Sequence, residues 1–172
     1  MQELKDTQSE ADTRNISIDR VGVKGLRFPI QIQDKLNRIQ STVATVSLAV
    51  DLPEEFKGTH MSRFVEALHQ HGPLLDVHTA LAIPRELLRR PHVEMEFPFF
   101  RSKNAPVTGI EGLMDYVVRF EMEAEANNKL ADFKLTVIVP VTTLCPCSKA
   151  MSAYGAHNQR GLVTYSVRFA SR

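Results

Sequence analysis

Cysteine is scarce in this sequence: there are two in 172 residues, Cys145 and Cys147, with only Pro146 between them. Two thiols this close form no relaxed loop-closing disulfide, and no third thiol is present to pair with either. A disulfide framework is excluded, which leaves buried packing, a reactive thiol or metal ligation. An excess of one charge sign is also lacking. The formal net charge is +1, whereas a nucleic-acid binder usually carries a concentrated basic face. No apolar run reaches the roughly 20 residues that cross a bilayer. The opening "MQELKDTQSEADTRN" has no apolar core of a secretory leader, and no repeat or low-complexity segment occurs. These absences give the expectation of a soluble, cytoplasmic protein with no nucleic-acid or membrane partner.

What is present is the make-up of an ordinary globular chain. A hydrophobic fraction of 43% and a charged fraction of 24%, over this length, suffice for one domain with a substantial core. Residues 1–15 are polar and aperiodic and read as a flexible arm, with the structured part spanning 16–172. From Thr42 to Leu52, residues Val46, Leu48, Val50 and Leu52 alternate with polar ones, the period of a half-buried strand. "THMSRFVEALHQH" places Met61, Phe64, Val65 and Leu68 at helical spacing, with Thr59 as the N-cap. A second helix is expected over Pro84–Arg90, with proline in its first turn.

Further alternating stretches follow. Val93, Met95, Phe97 and Phe99 form one apolar set, Tyr116, Val118, Phe120 and Met122 a second, and Phe133, Leu135, Val137 and Val139 a third. The last is Val163, Tyr165, Val167 and Phe169. The pattern predicts an α+β fold, an antiparallel sheet with helices packed on one face. The strand ending at Phe169 is expected to leave an open edge that favours association.

"LCPCS" lies just past a strand end, and Pro146 biases Cys145 toward an extended backbone. The two thiols are therefore expected to point to opposite sides. His157 follows Cys145 by twelve positions and Cys147 by ten, which is no zinc-finger spacing. Three readings stay open on spacing alone. The cysteines are small buried hydrophobes beside a loop histidine, or one thiolate and one imidazole hold a catalytic metal, or a Cys–His pair acts as a nucleophile. Elsewhere, His60 at a helix start suits an anion such as phosphate, or simply orders the turn. Arg63, Lys149 and Arg160 are candidate contacts for an anionic ligand. His69, His71, His78 and His92 are expected on solvated surfaces or helix ends.

Four blocks then carry a resemblance: "IDRVGVKGLRFPI" (18–30), "VDLPEEFKGTHMSRFVEAL" (50–68), "FPFFRSKNAPVTGIEGLMDY" (97–116) and "VPVTTLCPCSKAMSAYGAHNQRG" (139–161). In order and in content they resemble the type IB GTP cyclohydrolases. The resemblance implies a tunnelling fold (T-fold), two units per subunit, and a homotetramer. It implies conversion of GTP and water to formate and 7,8-dihydroneopterin triphosphate, the first step of tetrahydrofolate and pterin biosynthesis, with a divalent metal (zinc, manganese or iron). Cys145 matches the family's catalytically important, metal-binding cysteine, His157 its ligand histidine, and Cys147 a second cysteine close to the site. Such a metal lowers the pKa of water for attack on the guanine carbon between the two imidazole nitrogens, with nearby acid–base groups moving the protons. Another pterin-handling T-fold enzyme, or a binding module without activity, are the alternative readings. The family continues past the point where this chain stops, and its second unit supplies a glutamate ligand and the acid that anchors the pterin. Glu111, Glu121 and Glu123 do not match those motifs. The chain thus reads as the N-terminal part of the enzyme, with its second unit absent and weak metal binding on its own.

Overall fold

The computed structural model describes residues 8, 11–35, 38–71, 74–87, 89–125, 130–153 and 159–169. Its elements in chain order are β1 (Ile18–Gln33), β2 (Ile39–Leu52), α1 (Ser62–His71), β3 (Leu74–Leu75), α2 (Val77–Ala80), α3 (Ala82–Glu86), β4 (His92–Asn104), β5 (Glu111–Ala124), β6 (Leu130–Thr143), α4 (Pro146–Met151) and β7 (Gln159–Phe169). Seven strands form a single sheet in the order β3-β1-β2-β4-β5-β6-β7. All neighbours are antiparallel except β3, which runs parallel to β1 through Gln31–Leu74 and Ile32–Leu75. The sheet is therefore mixed rather than purely antiparallel. A parallel neighbour needs a crossover connection, and the segment carrying β2 and α1 supplies one.

The two-residue period decides which face is buried. One row crosses the sheet as Leu26, Val46, Met95, Phe120, Leu135 and Val167, each opposite the next. Val46 and Met95 are fully buried, whereas Leu26, Leu135 and Val167 are only partly so. Burial is deepest over β2, β4 and β5. There the core cluster joins the sheet to Phe64, Ala67 and Leu68 of α1, Ala80 of α2 and Ile83 of α3. Toward β7 the same apolar face lies open, with Val163 50% and Tyr165 65% exposed. The adjoining row on the opposite face is Thr45, Glu96, Arg119, Thr136 and Ser166. There Arg119 donates to Glu96, and the Thr136 and Ser166 hydroxyls hydrogen-bond at 2.9 Å.

Prolines mark where ladders end. The β2–β4 ladder stops at Glu96, two residues before Pro98, which has no N–H to give. Side chains take over beyond it: Thr42 Oγ1 donates to the Pro98 carbonyl at 3.0 Å, and Phe100 N–H donates to Gln40 Oε1 at 2.8 Å. The β5–β6 ladder ends likewise at Ile138, before Pro140. From there β6 and β7 continue as a two-stranded extension down to Thr143 and Gln159.

Several sequence expectations shift. The first helix begins at Ser62, two residues later than a Thr59 cap would place it, and the His60 and Met61 carbonyls accept from Arg63 and Phe64 N–H in tighter three-residue turns that lead into it. Ala67, rather than the 40% exposed Met61, completes its buried face. The second helix runs Ala82–Glu86 instead of Pro84–Arg90. It stops because Leu87 is extended and Arg89 is left-handed, at φ 65°. Within the segment read as an arm, Ala11 bridges to Phe56 and Asp12 N–H donates to the Glu55 carbonyl at 3.0 Å. His92 lies in a strand rather than on a helix end, its Nδ1 2.9 Å from Glu123. Among the described residues no helix is long and apolar enough to cross a membrane.

A capping box orders the turn before α2. Asp76 accepts from the backbone of His78 and Thr79, while the Thr79 hydroxyl accepts from Asp76 N–H. The Thr79 N–H, foremost, holds the Asp76 carboxyl below its ordinary value. Asp76→Ala is expected to cost about 1 kcal/mol at pH 7. A depressed carboxyl pKa stabilises above the unfolded value of about 3.9 and loses that contribution as the pH falls through the lower folded value. The Tm gap between Asp76→Ala and the parent should therefore narrow below about pH 4. A gap that stays constant down to pH 2 would exclude the ionised cap.

Candidate functional site

Cys145 stands where β6 gives way to α4. Pro146 occupies the first position of the helix, and Cys145 is its N-cap, extended at φ −70° and ψ 121°, as the proline bias predicts. The Cys145 carbonyl accepts from Lys149 N–H at 3.2 Å, closing the turn. The backbone N–H of Ser148, then that of Cys147, together with the Cys147 thiol, hold the Cys145 thiol below its ordinary pKa against partial desolvation. None of these contacts amounts to a full capping hydrogen bond; the N–H groups act as positive dipole ends facing the sulfur, which favours thiolate. Cys145 is half-buried and Cys147 exposed.

This geometry corrects the expectation that the two thiols diverge. An extended chain would alternate them, but the helical turn starting at Pro146 brings the Cys147 side chain back to Cys145. Lys149 lies in the last turn of the same helix. Arg160 pairs across the extension with Thr142. His157 lies outside the described residues; Gln159, two positions after it, pairs with Thr143, two positions before Cys145. A thiolate and an imidazole are donors suited to zinc or iron, and a sulfur held toward thiolate and partly open to solvent fits the first of them. Among the described residues, no three His, Cys, Asp or Glu side chains are grouped so as to hold a metal ion.

His60 and Arg63 are elsewhere. They line a cavity of about 60 Å³ with Arg89, Thr59 and Phe64. The registers place Ala49, His92, Glu123 and Asp132 side by side at one end of the sheet, the end from which the chain leads into α1. Cys145 follows Thr143 at the other end, after a strand that runs on the order of 40 Å. Within one chain the structure thus unites Cys145, Cys147, Lys149 and Arg160 and separates them from His60 and Arg63. Sequence reasoning missed Arg89, because nothing in "LLRRPH" marks a left-handed arginine.

Residues 4–172 match the family model GCHY-1, described as type I GTP cyclohydrolase folE2. A protein of Akkermansia muciniphila named GTP cyclohydrolase FolE2 is 97% identical over 177 residues, covering 100% of this chain and 67% of that protein. Proteins of the same name from Syntrophobacter fumaroxidans and Magnetococcus marinus are 48% and 46% identical, over 95% and 97% of this chain. The chain spans 65% and 64% of the length of those two relatives. A match over residues 4–172, nearly the whole chain, means that this chain belongs to the type I GTP cyclohydrolase family of the FolE2 kind.

Proposed function

We propose that the protein is a GTP cyclohydrolase, hydrolysing GTP to 7,8-dihydroneopterin triphosphate and formate as the first step of tetrahydrofolate and pterin biosynthesis in the cytoplasm. The observation that carries this reading, within the family match, is Cys145. A family-matching cysteine sits at a helix N-terminus with its pKa lowered, at an accessible strand end. Residues 16–172 would form a T-fold unit of a subunit that assembles as a homotetramer, and the seven-stranded sheet with its apolar face is compatible with that architecture.

Cys145 and His157 would hold a divalent metal, zinc, manganese or iron. When bound, that metal supplies Lewis acidity and brings the pKa of water toward neutrality. The chain's own residues do the rest. The Ser148 and Cys147 N–H groups lower the Cys145 thiol below its ordinary pKa and so favour its thiolate. Lys149 and Arg160, on the two segments flanking Cys145, attract the triphosphate electrostatically. Cys147, beside the Cys145 sulfur, narrows the approach from the solvent side.

Formate release from GTP in the presence of manganese or zinc tests the reading. Cys145→Ala in the complete protein is expected to lower the rate at least about 100-fold, since it removes a ligand and its charge at once. Thermal stability should be unchanged, because Cys145 is not part of the core. A Cys145→Ala protein that releases formate at the parent rate sinks the assignment.

A further inference from the structure

The described residues ahead of β1 are tied to the turn that leads from β2 into α1. Ala11 bridges to Phe56, and Asp12 N–H donates to the Glu55 carbonyl at 3.0 Å. Phe56 is pinned again from elsewhere in the chain, with the Arg89 guanidinium 3.9 Å from its ring centroid. A chain end tied down in this way is spared the fraying usual for termini. Three residues before the bridge, Gln8 lines the small cavity formed with Gly58, Thr59, His60, Arg63 and Arg89. A Cβ added at Gly58 would meet only Gln8, its Cγ at 3.7 Å and its Cβ at 3.8 Å. The glutamine stem thus rests on bare backbone, and Gln8 stays exposed to solvent. Asp12 is neutralised by Arg14, which reaches it through Nε at 3.0 Å and Nη2 at 2.9 Å. Among the described residues no carboxylate lines the cavity.

We propose that this segment is a wall of the substrate site rather than a free arm, with Gln8 a further binding residue for the triphosphate of GTP. The proposal rests on the cyclohydrolase reading above and on the candidate anion contacts His60 and Arg63. A carboxamide offers two N–H donors and carries no charge. Beside the two cations it adds hydrogen bonds to phosphate oxygens without adding to the attraction that retains a product bearing the same triphosphate. Backbone pairing of Ala11 and Asp12 holds the segment in place beforehand, so less freedom is lost when GTP binds.

Formate release by the complete protein with manganese, measured over a range of GTP concentrations, tests this. Gln8→Ala is expected to raise KM about tenfold, the share of one hydrogen bond to a charged group. Its kcat should stay within about twofold of the parent, because such binding is uniform along the reaction. Gln8→Glu keeps the stem and adds a carboxylate, so KM should rise further, and the excess should shrink as salt screens it. Asp12→Pro removes the N–H that ties the segment to Glu55 and should raise KM with Gln8 intact. The proposal is overturned if either Gln8 variant or Asp12→Pro keeps the parent KM. It is equally overturned if the Gln8 variants lose kcat and Tm together, the mark of a purely structural role. Calorimetric titration with GTP in the absence of metal separates the two readings. A parent that binds GTP more tightly than the Gln8 variants but releases no formate sinks the cyclohydrolase reading and leaves the wall standing; formate release at an unaltered KM does the reverse.

Discussion

Truncating Phe120 to alanine should remove about 4 kcal/mol of unfolding free energy, a large fraction of the 5–15 kcal/mol that holds a domain together. Phe120 is 5% exposed at the middle of β5. It is the hub of an aromatic chain that crosses four strands. Its ring meets Phe97 of β4 edge-on at 5.3 Å and Phe133 of β6 edge-on at 5.6 Å, and Phe133 in turn stacks on Phe169 of β7 at 5.1 Å. Loss of the Phe120 ring leaves a cavity between rigid strand backbones and breaks two aromatic contacts, each of about 0.5–1.5 kcal/mol beyond area burial. Phe169 is 42% exposed and makes one such contact, so Phe169→Ala should cost only about 1 kcal/mol. Urea unfolding should show the midpoint falling much further for Phe120→Ala at an unchanged slope. Equal losses for the two variants would show that the chain has no hub.

A methyl group at Gly22 is expected to be nearly as damaging, at about 3 kcal/mol. A Cβ there would meet the Leu48 carbonyl oxygen at 1.9 Å and the Ala49 Cα at 2.7 Å. Both are backbone atoms of the partner strand, so no side-chain rotation gives relief. Gly22 pairs with Ala49 between two register shifts of β1, one either side, where the strands are pressed together. Gly25, three residues on, is a control of a different kind. It needs a left-handed backbone at φ 73°, but a Cβ there meets nothing within 4 Å. Gly25→Ala should therefore cost only the conformational penalty of about 1–2 kcal/mol. If calorimetry ranks the two the other way round, close approach is not what Gly22 supplies.

The strands that sequence reasoning found were those with uninterrupted alternation. Val46 to Leu52, Val93 to Phe97 and Phe120 to Met122 all point into the core as their period requires. β1 escaped it because Gly22, Gly25 and Pro29 break the pattern inside one 16-residue strand. Two register shifts absorb those interruptions, and pairing with β2, a tertiary fact, overrides local propensity. β3 is only two residues long and carries no periodicity to read. The Val163–Phe169 face was legible as apolar, but not that it would lie open, since nothing in a strand's own sequence states what covers it. At the candidate site, the extended backbone of Cys145 was legible through Pro146, whereas its role rested on the resemblance of the surrounding block and not on spacing. The return of Cys147 toward it was not, because six residues of helix give too short a pattern to detect.

The strand order also dictates how the molecule assembles in time. Among the described strands, β1–β2, β4–β5, β5–β6 and β6–β7 join sequence neighbours, and such hairpins close within microseconds. The β2–β4 seam is different. It can shut only after the chain from Pro53 to Pro91 has looped out, and the entropy of that loop is lost before any non-local contact compensates it. Leu48 against Val93 and Val46 against Met95 are thus the contacts on which the folding rate turns. The segment that carries α1, α2 and α3 has only separate hairpins to lie on until they form, so its apolar residues stay partly uncovered during the aggregation-prone interval of the folding reaction.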